Sequence, residues 1–336
     1  MVYNYLHQEP LGQYTLTDVI LRGRYHKESH PRFIYHYTSP EGLKGILTSS
    51  SFYFTDCQYL NDIKERVNIN EDIEDFWGSY TKEYDPEFCK LIDKIRVNEF
   101  EDAEYAYSES DRDDGFPNAI SRYFVFSTSM RGDSLNMWKY YSKDNAYNGY
   151  CIRLKKENLS NEWGIGDYDI AFEEGEVIYD NVEKVNIIHK AVNILYDYWC
   201  RYEISSSIDK KIQKDFKSWL SITSLFFKHA SFRDEEEYRY VAICPICKLN
   251  DLCYAPRNGN AFKMYNFRIV NGVFTPYIMI PFCDAPNQYN ETISKVMISP
   301  SANCEQRKLG LVAYIKALNY PLTEDKIEYS SVPLRY

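Results

Sequence analysis

Phe33-Ile34-Tyr35-His36-Tyr37-Thr38-Ser39-Pro40-Glu41-Gly42-Leu43 is the stretch whose reading decides the class of this chain. Phe33 to Thr38 is an aromatic-rich run with the character of a buried strand. Ser39 can cap a helix, and Pro40 suits a helix's first turn. Leu43, Ile46 and Leu47 then recur at helical spacing. Ser51-Phe52-Tyr53-Phe54-Thr55 returns to strand. Further along, strands are expected over Arg122–Ser129, Tyr150–Leu154, Phe172–Tyr179, Tyr238–Cys244 and Lys295–Ser299. Phe267–Val270 and Val273–Ile280 flank Asn271-Gly272, the signal of a type I′ hairpin. Helical patterns fill Asn61 to about Tyr107, a short turn at Trp138–Tyr141, two runs within 184–230, and Gln306–Leu318. Strands and helices are interspersed without regular βαβ alternation, which predicts an α+β domain. The polar residues 1–31 read as an arm, 108–117 as an exposed loop, and 32–336 as a single domain with helical insertions near 61–107 and 184–230.

The composition is that of a globular chain. Of its 336 residues, 44% are hydrophobic and 26% charged, which excludes a fully disordered protein. Tyr supplies 32 residues and Phe 18, so rings build much of the core, and the phenols need partners. Lys and Arg number 39 against 49 Asp and Glu, a formal net charge of −10. That balance argues against a broad electrostatic grip on nucleic acid but leaves room for a local basic groove. No window approaches the ~18 apolar residues of a membrane span, and Met1-Val2-Tyr3-Asn4-Tyr5 does not open a signal peptide. The nine cysteines follow no framework, which points to reduced thiols and a cytoplasmic setting.

No glycine-rich phosphate loop, GxSxG elbow or HExxH motif occurs. Cys244-Pro-Ile-Cys247 with Cys253 supplies only three clustered thiols, so no metal site is expected. Three stretches carry chemistry. His36 stands in an apolar strand. Ser127-Thr128-Ser129 ends another, with Ser127 and Ser129 on one face. Arg233-Asp-Glu-Glu-Glu-Tyr-Arg239 leads into a third, where a period of two sets Glu235, Glu237 and Arg239 on one side and Glu236 on the other.

With these motifs in their order, the chain resembles the bacterial DUF2971 family, of unknown function, over about residues 33–335. The resemblance rests on Tyr35-His36-Tyr37-Thr38, Gly42-Leu43, Ile46-Leu47, Phe54, Asn61-Asp62, Phe126-Ser127, Met137-Trp138, Tyr141, Gly149, Ile152, Lys228, Glu235, Glu237-Tyr238-Arg239 and Ser331-Val332-Pro333-Leu334-Arg335. That family in turn resembles the ADP-ribosyltransferase superfamily: an early strand with His, a middle strand ending in Ser-x-Ser, a late strand opening on Glu-x-Glu. The resemblance implies split antiparallel sheets with flanking and inserted helices, gripping NAD⁺ as substrate.

It further implies that Glu237 stabilises the oxocarbenium-like cation formed as nicotinamide leaves and that Glu235 activates the acceptor as a base. His36 and Thr38 would hold a ribose hydroxyl, Ser127 and Ser129 would brace the glutamate or the ribose, and Tyr37, Trp138 or Tyr141 would stack on nicotinamide. Arg239 would pair with the pyrophosphate or neutralise Glu235. The acceptor is a protein or nucleic acid, and a toxin or antiphage setting suits such chemistry. The alternatives are NAD⁺ hydrolysis, a noncatalytic nucleotide sensor, and a metal-dependent nuclease built on Glu235, Glu237 and Asp133.

Overall fold

A computed structural model describes residues 31–60, 65–97, 121–141, 148–162, 170–201, 206–254, 261–282 and 292–333. The expected arm, Asn61-Asp62, the helical stretch beyond 97, the loop at 108–117 and Leu334-Arg335 lie outside the described residues. In chain order the elements are β1 (Phe33–Thr38), α1 (Pro40–Ser49), β2 (Ser51–Asp56), α2 (Ile69–Tyr80), α3 (Pro86–Ile92), β3 (Ser121–Ser129), α4 (Leu135–Tyr141), β4 (Tyr150–Lys155), α5 (Lys156–Glu162) and β5 (Ala171–Glu176). They continue with α6 (Asn181–Arg201), α7 (Ser206–Ser224), β6 (Glu237–Pro245), β7 (Cys253–Tyr254), β8 (Phe262–Lys263), β9 (Tyr265–Val270), β10 (Val273–Pro281), β11 (Ile293–Ile298), α8 (Cys304–Ala317) and β12 (Ile327–Tyr329).

These elements fall into two compact units. Of the described residues, those within Asn61–Glu101 and Val177–Arg233 form a helical unit, and those within Pro31–Leu60, Asp102–Glu176 and Asp234–Tyr336 form a sheet unit. The two helical stretches expected as separate insertions therefore share one core. Ile69, Ile73 and Phe76 of α2 meet Ile188, Val192 and Leu195 of α6 and Phe216 and Trp219 of α7 there. The i, i+3, i+4 spacing of these residues is what drives them to one side of each helix. Between α2 and α6 the unit buries a charge pair, Lys184 Nζ lying 3.8 Å from Asp72 Oδ2.

The sheet unit holds an open, mostly antiparallel sheet in the order β12-β11-β4-β1-β3-β2-β10-β9, with β6 also on β3 and β5 on β6. Only β11 and β12 run parallel. The α+β class read from the sequence is the class observed. The α1 start is as its residues dictate: Ser39 accepts from the Gly42 amide at 3.1 Å, and Pro40 opens the first turn. Leu43, Ile46 and Leu47 bury that helix against Phe52, Phe54, Phe124 and Phe126 of the sheet. Each such side chain contributes roughly 1.5–3 kcal/mol by leaving water. The β9–β10 turn carries positive φ at both Asn271 (51°) and Gly272 (80°), as a type I′ turn requires.

The strand β3 is the pivot. Along one edge all nine of its residues pair with β6, from Ser121 opposite Pro245 to Ser129 opposite Glu237. Along the other edge β2 pairs only with Phe124 and Val125, and β1 only with Ser129. Phe126, Ser127 and Thr128 therefore meet no strand on that edge, and the sheet is split between β1 and β2.

Candidate functional site: the split beside β3

His36 fills the split. Its Nδ1–H donates to the Ser127 carbonyl at 3.0 Å, replacing a ladder bond that a neighbouring strand would have made. Its ring packs on Phe126, 4.6 Å between centroids. Burial lowers its pKa to about 4; the Ser127 bond opposes this, and the charge of Arg268 adds to it. His36 is therefore neutral at pH 7, with the proton on Nδ1 and a lone pair on Nε2. It remains half-buried, as do Thr38 and Ser127. The Ser127 hydroxyl has no hydrogen-bond partner among the described residues.

The far side of the split comes from β2, β9 and β10. Arg268 donates from Nη2 to Thr55 Oγ1 at 2.7 Å, and its guanidinium lies 5.7 Å from the Tyr277 ring centroid. Tyr277 and Tyr53 sit ring by ring, 5.1 Å apart and tilted by 33°. Burial lowers the Arg268 pKa and raises that of Tyr277, so at pH 7 the first stays cationic and the second stays a phenol. Gly45 of α1 lets the Tyr53 hydroxyl approach, because a Cβ at position 45 would stand 2.7 Å from it.

On the opposite edge of β3 the charges are closed. Arg239 grips Glu237 in a bidentate pair, Nε to Oε1 at 2.7 Å and Nη2 to Oε2 at 2.9 Å. Only 3% of Glu237 and 2% of Arg239 is exposed. The expected register holds for these two, which share a face with Ser129 and Ser127 opposite them. It does not extend to Glu235. That residue ends a 3-10 helix, Ala230–Glu235, and Glu236 turns the chain with a φ of 42° before β6 begins. A left-handed residue breaks the period of two, so Glu235 does not follow Glu237 along the strand face. Glu235 is buried, and its carbonyl accepts from Ser129 Oγ at 2.7 Å, while the same hydroxyl accepts from the Arg131 amide at 3.0 Å. Ser129 is thus a backbone staple. Glu236 stays at the surface near Arg131.

Trp138 and Tyr141 of α4 form a small core with Tyr37, Met137 and Cys151. The Trp138 ring stands edge-on to Tyr37 at 4.9 Å and is 1% exposed, so its faces are taken by packing. Burial pushes the Tyr37 phenol far up, and it remains protonated, donating to the Arg131 carbonyl at 3.0 Å and accepting from the Ser134 amide at 2.9 Å. Asp133 ties this cluster to the segment after β12. It accepts from Trp138 Nε1 at 2.9 Å, from Ser330 Oγ, and from the Ser331 amide and hydroxyl at 2.7 Å each. Burial acts to raise the Asp133 pKa, but donation from Ser330, Ser331 and Trp138 prevails and holds it below the usual carboxylate value.

The structure therefore brings His36 and Thr38 to the split, where His36 meets the Ser127 carbonyl, while the Ser127 side chain lies on the face of Glu237 and Arg239. It sets Glu237 and Arg239 across β3 and leaves Tyr37, Trp138 and Tyr141 in a core of their own. Tyr53, Thr55, Arg268 and Tyr277 were missed by the sequence reading; the pairing of β2 with β10 brings them in, and only the alternation of polar residues in those strands hinted at it. Among the described residues no group of three or more His, Cys, Asp or Glu is placed to hold a metal ion, and the described cysteines are free thiols. No helix among the described residues is long and apolar enough to cross a membrane.

The family described as "Protein of unknown function (DUF2971)" matches residues 137–240. This supports the resemblance over less than half of the chain. The matched span holds Trp138, Tyr141, Glu235, Glu237 and Arg239; His36 and Arg268 lie outside it. No curated protein and no solved structure matches the chain.

Proposed function

We propose that this chain is an NAD⁺-dependent ADP-ribosyltransferase-like enzyme that breaks the nicotinamide–ribose bond and passes ADP-ribose to a protein or nucleic-acid acceptor. The observation that carries the reading is the split: Phe126, Ser127 and Thr128 meet no strand on that edge, and a neutral, half-buried His36 stands in the gap. Nε2 of His36, its lone pair unused by the Ser127 carbonyl bond, would accept from a ribose hydroxyl. Glu237 stands on β6, two ladder spacings or about 10 Å of backbone from β1, and supplies the carboxylate that faces the developing cation. Its bidentate bond to Arg239 must open, wholly or in part, for that contact. Glu235 is the base for the acceptor.

The test is nicotinamide release from labelled NAD⁺ beside transfer of label to a cell lysate. Glu237→Gln lowers kcat by about 10²–10³, the order found when one electrostatic stabiliser is removed, and Glu235→Gln reduces transfer more than release. Melting curves on both variants separate lost chemistry from lost fold. A parent chain that binds NAD⁺ and releases no nicotinamide overturns the enzyme. A second reading, a noncatalytic nucleotide sensor, is favoured by the closed Glu237–Arg239 pair and predicts that outcome. Release without transfer to any acceptor makes the activity a hydrolysis of NAD⁺. The nuclease reading gains no support, since the Asp133 carboxylate is occupied by Ser330, Ser331 and Trp138.

A further inference from the structure

The arginines of the sheet unit differ in their company. Arg239 has Glu237 and Arg122 has Asp56 at 3.2 Å. Arg268 has a threonine hydroxyl and a tyrosine ring, and no carboxylate among the described residues. Arg268 keeps its surface exposed to water, yet its surroundings desolvate it enough to lower its pKa, and such a cation gains from a counter-charge. Nη2 spends one of its two hydrogens on Thr55, so the other edge of the guanidinium stays open to a second, bidentate acceptor, the geometry that guanidinium offers to phosphate. The phenols of Tyr53 and Tyr277 are further donors. The opposite wall offers the reverse chemistry, an imidazole lone pair that accepts from a hydroxyl.

We infer that Arg268, Thr55, Tyr53 and Tyr277 bind the phosphate groups of a nucleotide whose ribose hydroxyl is held by His36. The inference rests on the reading of the split as a nucleotide site, and adds to it which wall takes the anion. Donors on the β2–β9–β10 wall and an acceptor on the β1 wall fix the ligand's direction: phosphates toward the hairpin, sugar toward β1. Bases and nicotinamide riboside alone lack the anion and bind weakly. A nucleoside diphosphate, or a dinucleotide joined through pyrophosphate, satisfies both walls.

Titration calorimetry on the full chain tests this with inorganic pyrophosphate, ADP and adenosine as probes. Pyrophosphate and ADP bind and adenosine binds far more weakly. Arg268→Gln weakens pyrophosphate about 10–100-fold, the worth of one or two charge-assisted bonds, and Arg268→Lys recovers part of it. The control is Arg153→Gln: Arg153 also lacks a carboxylate among the described residues and lies over Phe33, 4.5 Å from its centroid. Unchanged melting temperatures keep the comparison fair. The proposal falls if the parent binds no pyrophosphate, if Arg268→Gln binds it like the parent, or if Arg153→Gln loses as much. Its fate is separable from that of the transferase. Arg268-dependent pyrophosphate binding with no nicotinamide release sustains the anion site and overturns the enzyme; release unaffected by Arg268→Gln does the reverse.

Discussion

The two edges of β3 handle charge in opposite ways. On the β6 edge the ladder is complete, and Glu237 and Arg239 neutralise one another through two hydrogen bonds away from water. On the other edge the ladder is broken, a neutral, half-buried His36 stands in the gap, and Arg268, with no carboxylate among the described residues, reaches across β10 to Thr55 of β2. A closed pair stabilises by mutual satisfaction and is costly to disturb from one side only. An open, unmatched group is nearly irrelevant to folding and disposed toward a ligand.

The largest effect should come from breaking the closed edge. Arg239→Met removes the guanidinium from the buried Glu237 carboxylate, and urea unfolding is expected to show a loss of about 3–5 kcal/mol. Changing Glu237 to Met as well should return most of that loss, since an apolar pair carries no desolvation penalty. If Arg239→Met alone proves harmless, the pair is not closed in solution and Glu237 is freer than its geometry indicates. Next in size is the Asp133 clamp beside the split. Asp133→Asn exchanges an ionised acceptor for a weaker one that also brings donors, at about 1–3 kcal/mol, with loss of protection in amide exchange at Ser331.

Smaller again is the pH response of the open edge. With its pKa depressed to about 4 in the fold, His36 binds fewer protons folded than unfolded, where the reference is ~6.5. Its contribution is full above ~6.5 and is lost as pH falls through about 4, with a slope of at most about 1.4 kcal/mol per pH unit. His36→Gln should flatten that part of the stability profile. Asp72 of the helical unit runs the other way: burial raises it to about 6 against the pull of Lys184, so its contribution is full below ~3.8 and fades as pH rises through about 6. The smallest effect sharpens the contrast most. Arg268→Gln should alter stability by no more than about 0.5 kcal/mol, although it is an arginine in the same sheet as Arg239.

How much of this was written in the local sequence differs from site to site. Ser39-Pro40 fixed the start of α1, and Asn271-Gly272 fixed the hairpin, because caps and turns are decided by residues in immediate succession. Helix periodicity found the apolar faces of α6 and α7 for the same reason. The acidic run was read with Glu235 in the strand register, because nothing in three consecutive glutamates tells that the middle one adopts a positive φ. Arg268 escapes notice because its partner Thr55 is 213 residues away, and Asp133 enters the sequence reading only through the alternative nuclease because its donors, Ser330 and Ser331, are as remote. Such meetings are set by strand order, which depends on which strands find each other across the whole domain.

That strand order has a temporal side. The central strand β1 needs β4, more than a hundred positions later, and β4 needs β11 beyond it; the Asp133 clamp joins residues 198 apart. A nascent chain leaving the ribosome at about 5–20 residues per second therefore carries β1 for several seconds before its neighbours exist. During that interval the aromatic faces of β1 and β2 are unpaired, so the sheet unit should mature slowly and late, whereas the backbone hydrogen bonds of α2 and α3 close within each helix and only their apolar faces wait for α6 and α7.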